Sequence, residues 1–160
     1  MNPPKLQHEL KKRRPFDSLD EEAALNIWRT NDRLQICFDR LMRGYGLTPS
    51  QYNVLRILRG EGKPLPILEI AGRTVAVVPG ITGLIDRLER AGFVNRLRCE
   101  KDRRVIYVAL TDQGMETLAV LEEPLTGLRH KLLGHLSQGE LKELIRLLEK
   151  VRESTSEVDD

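Results

Sequence analysis

Apolar residues recur at intervals of three and four over most of this 160-residue chain, which is the spacing of one face of an α-helix. The first such pattern extends from Ser18 to about Arg43, and the last one begins at Ser137. Glu21 and Glu140 each follow a serine by three residues, as in a capping box that closes a helix start. We therefore predict a long helix near each end of the chain.

Three shorter helices are predicted between these two. One begins at Thr48 with a proline in its first turn and ends near Arg59, and a second covers Ile67 to Arg73. The third covers Pro79 to Ala91 and ends at Gly92. The short apolar run Val75 to Val78 is interpreted as a tight link between the second and third of these helices.

The pattern then changes to that of β-strands. Phe93 to Cys99 and Arg104 to Leu110 are of strand length and rich in β-branched or aromatic residues, and residues 100–103 between them are charged. We predict a β-hairpin with a positively charged tip. After it, Thr111 is expected to cap a helix, which Pro124 and Gly127 should bend or break.

A helix, a tight link, a second helix and a two-stranded hairpin form the layout of a winged helix-turn-helix, in which the second helix enters the major groove of DNA. The predicted fold is thus mainly α with a small β-hairpin wing. Asp102 is expected to pair with Arg104 and orient its guanidinium for a narrow minor groove. The candidate DNA-binding residues are Pro79, Gly80, Thr82, Gly83, Arg87, Lys101, Asp102, Arg103 and Arg104.

Charge supports this prediction through its distribution. The net charge is only +2, but residues 73–104 contain eight basic and four acidic residues, a net charge of +4. A concentrated positive charge is typical of a phosphate-binding surface. A solvated charged face is the alternative interpretation.

Composition limits the other classes of function. With 40% hydrophobic and 31% charged residues and no apolar run of about 18 residues, the chain predicts a cytoplasmic protein with no membrane segment. Cys37 and Cys99 are expected to be reduced thiols, with a redox switch as the alternative. The three histidines lack metal-site spacing. No metal site, cofactor or enzymatic activity is predicted, because no nucleophile with a base, carboxylate pair or phosphate loop is found.

Two sequence strings resemble the multiple antibiotic resistance regulator (MarR) family of bacterial transcription factors. ITGLIDRLERAGFVNR resembles the recognition helix of the family, and DRRVIYVALTDQG resembles its wing and the helix start that follows. TPSQYNVLRIL, from Thr48 to Leu58, is similar to the family's second helix. The resemblance covers about residues 20 to 152, and its matching positions are Thr82, Asp86, Leu88, Gly92, Asp102, Arg104, Leu110, Thr111 and Gly114.

The resemblance implies a homodimer that binds a pseudo-palindromic DNA site and releases it when a ligand or oxidant binds. Residues 47–110 would form the winged helix-turn-helix, and residues 18–46 and 111–152 the dimerisation helices. Residues 1–17 are predicted to be a mobile basic arm and residues 153–160 an acidic tail. A first helix of about 24 residues, roughly 36 Å long, independently suggests packing on a partner subunit. The leading prediction is a ligand-responsive repressor, and the alternative is a winged-helix assembly module that binds no DNA.

Departures from the family concern the ligand and the reading of bases. Gly83 stands where many members carry a basic or polar side chain, and Asn53 and Gly83 replace the acid and arginine of the urate-responsive branch. Cys37 does not match the reactive cysteine of peroxide sensors. A pocket for a small aromatic ligand is predicted around Trp28, Tyr52 and Arg56, with ordinary core aromatics as the alternative.

Overall fold

The computed structural model describes residues 6–98 and 104–155, and within them it contains seven helices and three strands. The helices are α1 (Leu6–Glu9), α2 (Leu19–Arg43), α3 (Pro49–Glu61), α4 (Ile67–Gly72), α5 (Ile81–Arg90), α6 (Asp112–Leu133) and α7 (Gln138–Thr155). The strands are β1 (Leu65–Pro66), β2 (Val94–Arg98) and β3 (Ile106–Leu110). The chain forms two compact units, Met1–Met115 and Glu116–Asp160.

The core of the first unit lies where α3, α4 and α5 meet the strands. Helix α3 contacts α4 and β3, and α5 contacts α4 and β2. Complete burial of one aliphatic side chain stabilises a fold by about 1.5 to 3 kcal/mol. The buried side chains of these elements are Val54, Leu55, Ile57, Leu58, Leu65, Ile70, Leu84, Ile85, Leu88, Val94 and Val108.

The predicted hairpin is part of a three-stranded antiparallel sheet with the order β1, β3, β2. Val94 pairs with Leu110 and Arg98 with Ile106, while Leu65 of β1 pairs with Val108 on the other side of β3. The sequence analysis missed β1. This strand has only two residues, and one of them is a proline, which cannot donate a ladder hydrogen bond and is typical of edge strands.

Local capping sets the start of three helices. Thr48 and Gln51 form a complete capping box at α3, and Ser137 and Glu140 form the same pair of hydrogen bonds at α7. At α2, Ser18 Oγ accepts from the backbone amide of Glu21 at 3.1 Å. The Glu21 carboxylate accepts from the amide of Asp17 instead of that of Ser18. The predicted starts of α2, α3 and α7 therefore agree with the structure.

Helix α6 is a single 22-residue helix that contains Pro124 and Gly127. A bend or a break was predicted here, and the break does not occur. A proline inside a helix costs about 3 kcal/mol, but Leu118, Leu121 and Leu125 on the same helix are buried, and their burial offsets a cost of that size.

The described part of the predicted mobile arm forms the short helix α1 and a turn that contacts α2. Leu6 is buried, Lys12 pairs with Glu21 at 3.2 Å, and Glu9 pairs with Arg29 at 3.5 Å. The backbone amide of Asp17, followed by Lys12, lowers the pKa of the Glu21 carboxyl. This helix and these contacts were not evident from the sequence, because prolines and a run of basic residues dominate its composition.

Helix α7 is the last described helix of the second unit, and it buries none of its side chains. Leu144, Ile145, Leu147 and Val151 are all exposed, although the helix is amphipathic. Among the described residues, no helix is both long enough and apolar enough to cross a lipid bilayer.

Candidate nucleic-acid interface

The candidate interface is centred on α5 and on the link that leads into it. Helix α5 begins at Ile81, so Pro79 and Gly80 precede it, whereas the sequence analysis placed Pro79 in its first turn. Gly80 is the N-cap residue and has a φ of 70°. A residue with a side chain is strained in this left-handed conformation. The link over residues 73–80 contains no strand, in agreement with the prediction.

One face of α5 is buried and the other is exposed. Leu84, Ile85 and Leu88 are buried, while Thr82 and Arg87 are exposed. A Cβ atom placed on Gly83 would lie 3.8 Å from Nη1 of Arg87. The guanidinium of Arg87 therefore extends back along the helix toward its N-terminal end, over the position where Gly83 has no side chain.

No side chain caps the N-terminus of α5. The first amide groups of a helix have no partner within the helix, and the helix dipole adds a partial positive charge there. Such a terminus favours phosphate oxygens. Two exposed polar side chains of α5, Thr82 and Arg87, thus lie on the same helix as a terminus suited to the DNA backbone.

Arg96 of β2 connects the wing to α5. Its guanidinium pairs with Asp86 and, at 3.0 Å, with Glu89, and it donates to the carbonyl oxygen of Thr82 at 3.3 Å. The backbone amide of Arg96 also donates to Glu89 at 3.1 Å. The sequence analysis counted Arg96 only as part of the positive charge. The structure shows instead that it holds the recognition helix against the strand.

Arg73 is another arginine whose charge is compensated. It pairs with Glu61 at 2.7 Å and also with Glu69. Hydrogen bonds from Arg73 and then from Lys63 lower the pKa of the Glu61 carboxyl. The uncompensated positive charge of this region is therefore smaller than the net charge of +4 counted for residues 73–104. A larger share of it comes from Arg87, Arg98 and the wing.

The described part of the wing ends at Arg98 and resumes at Arg104, and both residues are exposed. Lys101, Asp102 and Arg103 lie outside the described residues, as does Cys99. The expected pairing of Asp102 with Arg104 and the DNA contacts of the tip therefore stay predictions.

The junction between wing and α6 explains the threonine and glycine of the second string. The amide of Gly114 donates to Thr111 Oγ1 at 3.1 Å, and the hydroxyl of Thr111 donates to the carbonyl oxygen of Gly92 at 2.6 Å. A Cβ atom on Gly114 would lie 2.4 Å from the carbonyl oxygen of Phe93. Only glycine fits there without movement of the backbone. The junction fixes the base of the wing against the end of α5.

The predicted ligand residues are described but do not line either of two cavities found in the first unit. Trp28 is 68% exposed, Tyr52 is half-buried, and Arg56 is exposed and donates to Asn53 at 2.8 Å. One cavity of about 350 Å³ lies between the N-terminal segment and the start of α2, and one of about 210 Å³ lies between the end of α3 and β3. The pocket stays a prediction.

Cys37 is a half-buried free thiol. Within residues 6–98 and 104–155, no three histidine, cysteine or acidic side chains are grouped as metal ligands would be.

Comparison with known proteins gives the family. The MarR family model matches residues 47–106. The uncharacterized HTH-type transcriptional regulator YkoM of Bacillus subtilis is 34% identical over 140 residues, which cover 84% of this chain and 90% of that protein. The chain belongs to the MarR family. The membership of the MarR family that the two sequence strings indicated is thereby confirmed.

Solved MarR-family structures agree with this fold. The MarR transcription factor of Planctomyces limnophilus is 46% identical, with a TM-score of 0.66 over 84% of this chain and 98% of that chain. A mutant MarR from E. coli in complex with operator DNA is 25% identical, with a TM-score of 0.73 over 84% of this chain and 99% of that chain. The predicted fold, mainly α with a winged helix-turn-helix, is confirmed, with β1 as an additional strand. This MarR-family protein is a DNA-binding transcriptional regulator.

Proposed function

We propose that this MarR-family regulator is a homodimer that represses transcription in the cytoplasm by binding a pseudo-palindromic operator, and that a small aromatic ligand releases it. The observation that carries the DNA-binding part is the arrangement of α5. Its apolar face is buried, Arg96 holds it against the wing, and Thr82 and Arg87 are exposed at its free face.

In this proposal the N-terminal half of α5 enters the major groove. Thr82 contacts a phosphate or a base edge, and Arg87, lying over Gly83, reaches toward a base or a phosphate. The first backbone amides of α5, after the N-cap Gly80, donate hydrogen bonds to a phosphate oxygen. In the same proposal, the adjacent minor groove is contacted by the wing residues Lys101, Asp102, Arg103 and Arg104. The backbone at Pro79 lies close to the DNA.

The proposed dimer rests on the apolar side chains that the terminal helices leave exposed. Helix α7 exposes Leu144, Ile145 and Val151, and α2 exposes Ile27 and Ile36. Both helices have a stripe typical of a packed surface, and a C2 dimer covers the same stripe on each subunit. Two recognition helices would then be presented about one DNA turn, roughly 34 Å, apart.

The proposed ligand would be a small aromatic acid. Trp28 and Tyr52 offer aromatic faces, and Arg56 offers a guanidinium for a carboxylate. A thermal-shift screen of aromatic acids tests this, because a ligand that binds only the native state raises the melting temperature. A hit whose shift is unchanged in Trp28→Ala and Arg56→Ala would contradict the assigned residues.

DNA binding is tested by fluorescence anisotropy with labelled duplexes from upstream of the protein's own gene and with random duplexes of equal length. We expect tighter binding to one upstream duplex than to the random duplexes. If six or more phosphates are contacted, the affinity for that duplex should fall about a thousandfold or more between 50 and 200 mM salt. Arg104→Ala should weaken this binding about tenfold.

The matched control is Lys150→Ala, which also removes one positive charge but lies on the polar face of α7. It should leave the affinity within twofold of wild type. Equal affinities for Arg104→Ala and wild type would refute the wing assignment. A stable dimer that binds none of the duplexes at 50 mM salt would favour the alternative, a winged-helix assembly module.

A further inference from the structure

Two aliphatic side chains in the link between α4 and α5 are almost fully exposed. Val77 is 92% exposed and Val75 is 85% exposed. Single exposed aliphatic residues are common on protein surfaces. These two differ because they stand two residues apart and precede the N-cap of the recognition helix by five residues or fewer. In contrast, the aliphatic residues of α5 itself are buried at Leu84, Ile85 and Leu88.

The polar groups available for reading bases at the same end of α5 are few. Gly80 and Gly83 have no side chain, and Arg96 is engaged by Asp86 and Glu89. Thr82 and Arg87 are then the exposed polar side chains in the first two turns. Two residues per half-site specify little sequence through hydrogen bonds alone.

The link is also free of groups that would oppose DNA. No acidic residue occurs between Arg73 and Asp86, although the chain contains 24 acidic residues. The link continues directly into a helix terminus that favours phosphate. A duplex can therefore approach the two valines without charge repulsion from the link.

The only apolar group that DNA presents at a base edge is the C5-methyl group of thymine, and it lies in the major groove. We infer that Val75 and Val77 contact thymine methyl groups at the position where the N-terminus of α5 enters the major groove. The two valines, rather than the glycine-containing turn of α5, then select thymine at defined positions of each half-site. This inference rests on the proposed DNA binding and assigns residues that the sequence analysis interpreted only as a link.

Removal of one methyl group from DNA provides the test. Full-length wild-type protein first selects its preferred duplex from a random-sequence pool, and each thymine of that duplex is then replaced singly by deoxyuridine, which lacks only the methyl group. Anisotropy titrations at fixed salt should show about fourfold weaker binding at one or two thymines per half-site, the factor for one buried methyl or methylene group.

The decisive measurement is the coupling between protein and DNA changes. In Val77→Ala and Val75→Ala, deoxyuridine at the sensitive thymines should cost less than twofold, since the partner of the methyl group is already gone. Both side chains are exposed, so the variants should keep the wild-type melting temperature. Leu68→Ala, which shortens another aliphatic residue with 83% exposure, should keep the full sensitivity to deoxyuridine.

The outcomes separate this inference from the proposed function. Binding that is insensitive to deoxyuridine, or equally sensitive in wild type and in both valine variants, overturns the thymine contact while leaving DNA binding intact. Failure to select any duplex overturns both. A valine variant that weakens binding to thymine and deoxyuridine duplexes alike and sediments with a changed mass shows that a second copy of the chain covers the valines, which also overturns the inference.

Discussion

The recognition helix α5 and the last helix α7 are both amphipathic, yet they treat their apolar residues in opposite ways. Helix α5 buries Leu84, Ile85 and Leu88 within its own unit, and Arg96 connects it to β2 through contacts 7 to 14 residues apart in sequence. Helix α7 buries no side chain, and its ion pair between Glu143 and Arg146 joins residues only three positions apart on the same helix.

This difference teaches which part of the fold is complete in one chain. The winged helix gains stability from burial and from hydrogen bonds between separate elements, so its geometry is set by the monomer. A helix that buries nothing gains little from tertiary packing, and isolated helices of this length are marginal in water. Helix α7 is therefore expected to depend on a second subunit, as the proposed dimer requires.

The largest expected effect comes from a charge in the apolar stripe of α7. Leu144→Glu would bury an unpaired carboxylate in the proposed interface at a cost of about 3 to 5 kcal/mol. This cost corresponds to a dimer that dissociates about a thousandfold more readily. Sedimentation velocity at micromolar concentration should show monomers.

The control for this variant is Lys150→Glu, which places the same side chain on the polar face of α7 and should sediment as wild type does. If Leu144→Glu remained a dimer of unchanged affinity, α7 would not form the interface, and the contrast with α5 would need another explanation.

The next effect concerns the connection between wing and recognition helix. Arg96→Ala removes the pairs with Asp86 and Glu89 and the hydrogen bond to Thr82. Because these groups are partly exposed, we expect the free energy of unfolding to fall by only about 2 kcal/mol. Urea denaturation at fixed protein concentration measures this.

Arg98→Ala, an exposed residue of the same strand, serves as the stability control and should change the free energy of unfolding by less than about 0.5 kcal/mol. DNA affinity of Arg96→Ala should fall more than its stability predicts at a temperature where the variant is fully folded, since α5 loses its fixed orientation. Unchanged affinity under these conditions would show that Arg96 only stabilises the fold.

The smallest expected effect is the loss of helix stability when an N-cap side chain is removed, and it can be compared at two helices. Thr48→Ala and Ser137→Ala each remove an N-cap hydrogen bond and should cost about 1 kcal/mol of helix stability. The two caps should also differ in the pH dependence of the stabilisation that they give to their helices. The backbone amide of Ser137, and then its hydroxyl, lower the pKa of the Glu140 carboxyl below the ordinary value of 4.5, whereas the corresponding Gln51 does not titrate.

The stabilisation from Glu140 is fully present above its unfolded pKa and is lost as the pH falls through the lower folded value. Hydrogen-exchange protection factors, corrected for the intrinsic exchange rate at each pH, should therefore fall for the first amides of α7 below about pH 4.5, while those of α3 show no such acid step. A step of equal size at α3, or none at α7, would contradict this assignment. Glu140→Gln, which keeps the hydrogen bonds, is the control without the titration.

The sequence predicted those elements whose signals are local. The starts of α2, α3 and α7 depend on caps three residues apart, and the burial of α5 follows from the spacing of its apolar residues. Strand β1 escaped prediction because its pairing partner lies more than 40 residues away, at Val108. Helix α6 was expected to bend or break at Pro124 and Gly127. It does not break, because its buried leucines offset the cost of the proline, an effect that exists only in the folded chain.

The candidate site was predicted unevenly for the same reason. Thr82 and Arg87 are exposed as expected, because helix periodicity fixes their face. The role of Arg96 depends on the approach of β2 to α5, which no local pattern encodes. The exposure of Val75 and Val77 also required the fold, because the run of valines is equally consistent with a buried segment.

The connection through Arg96 has a consequence for the choice of operator. Because Arg96 joins the wing strand to α5, the proposed major-groove and minor-groove contacts of one half-site would form a single unit. One base pair inserted between two half-sites displaces that unit by about 3.4 Å along the DNA and rotates it by roughly a tenth of a turn. Both kinds of contact are then misplaced at once, so tolerance to spacer length should be narrow and determined by the dimer rather than by the wing.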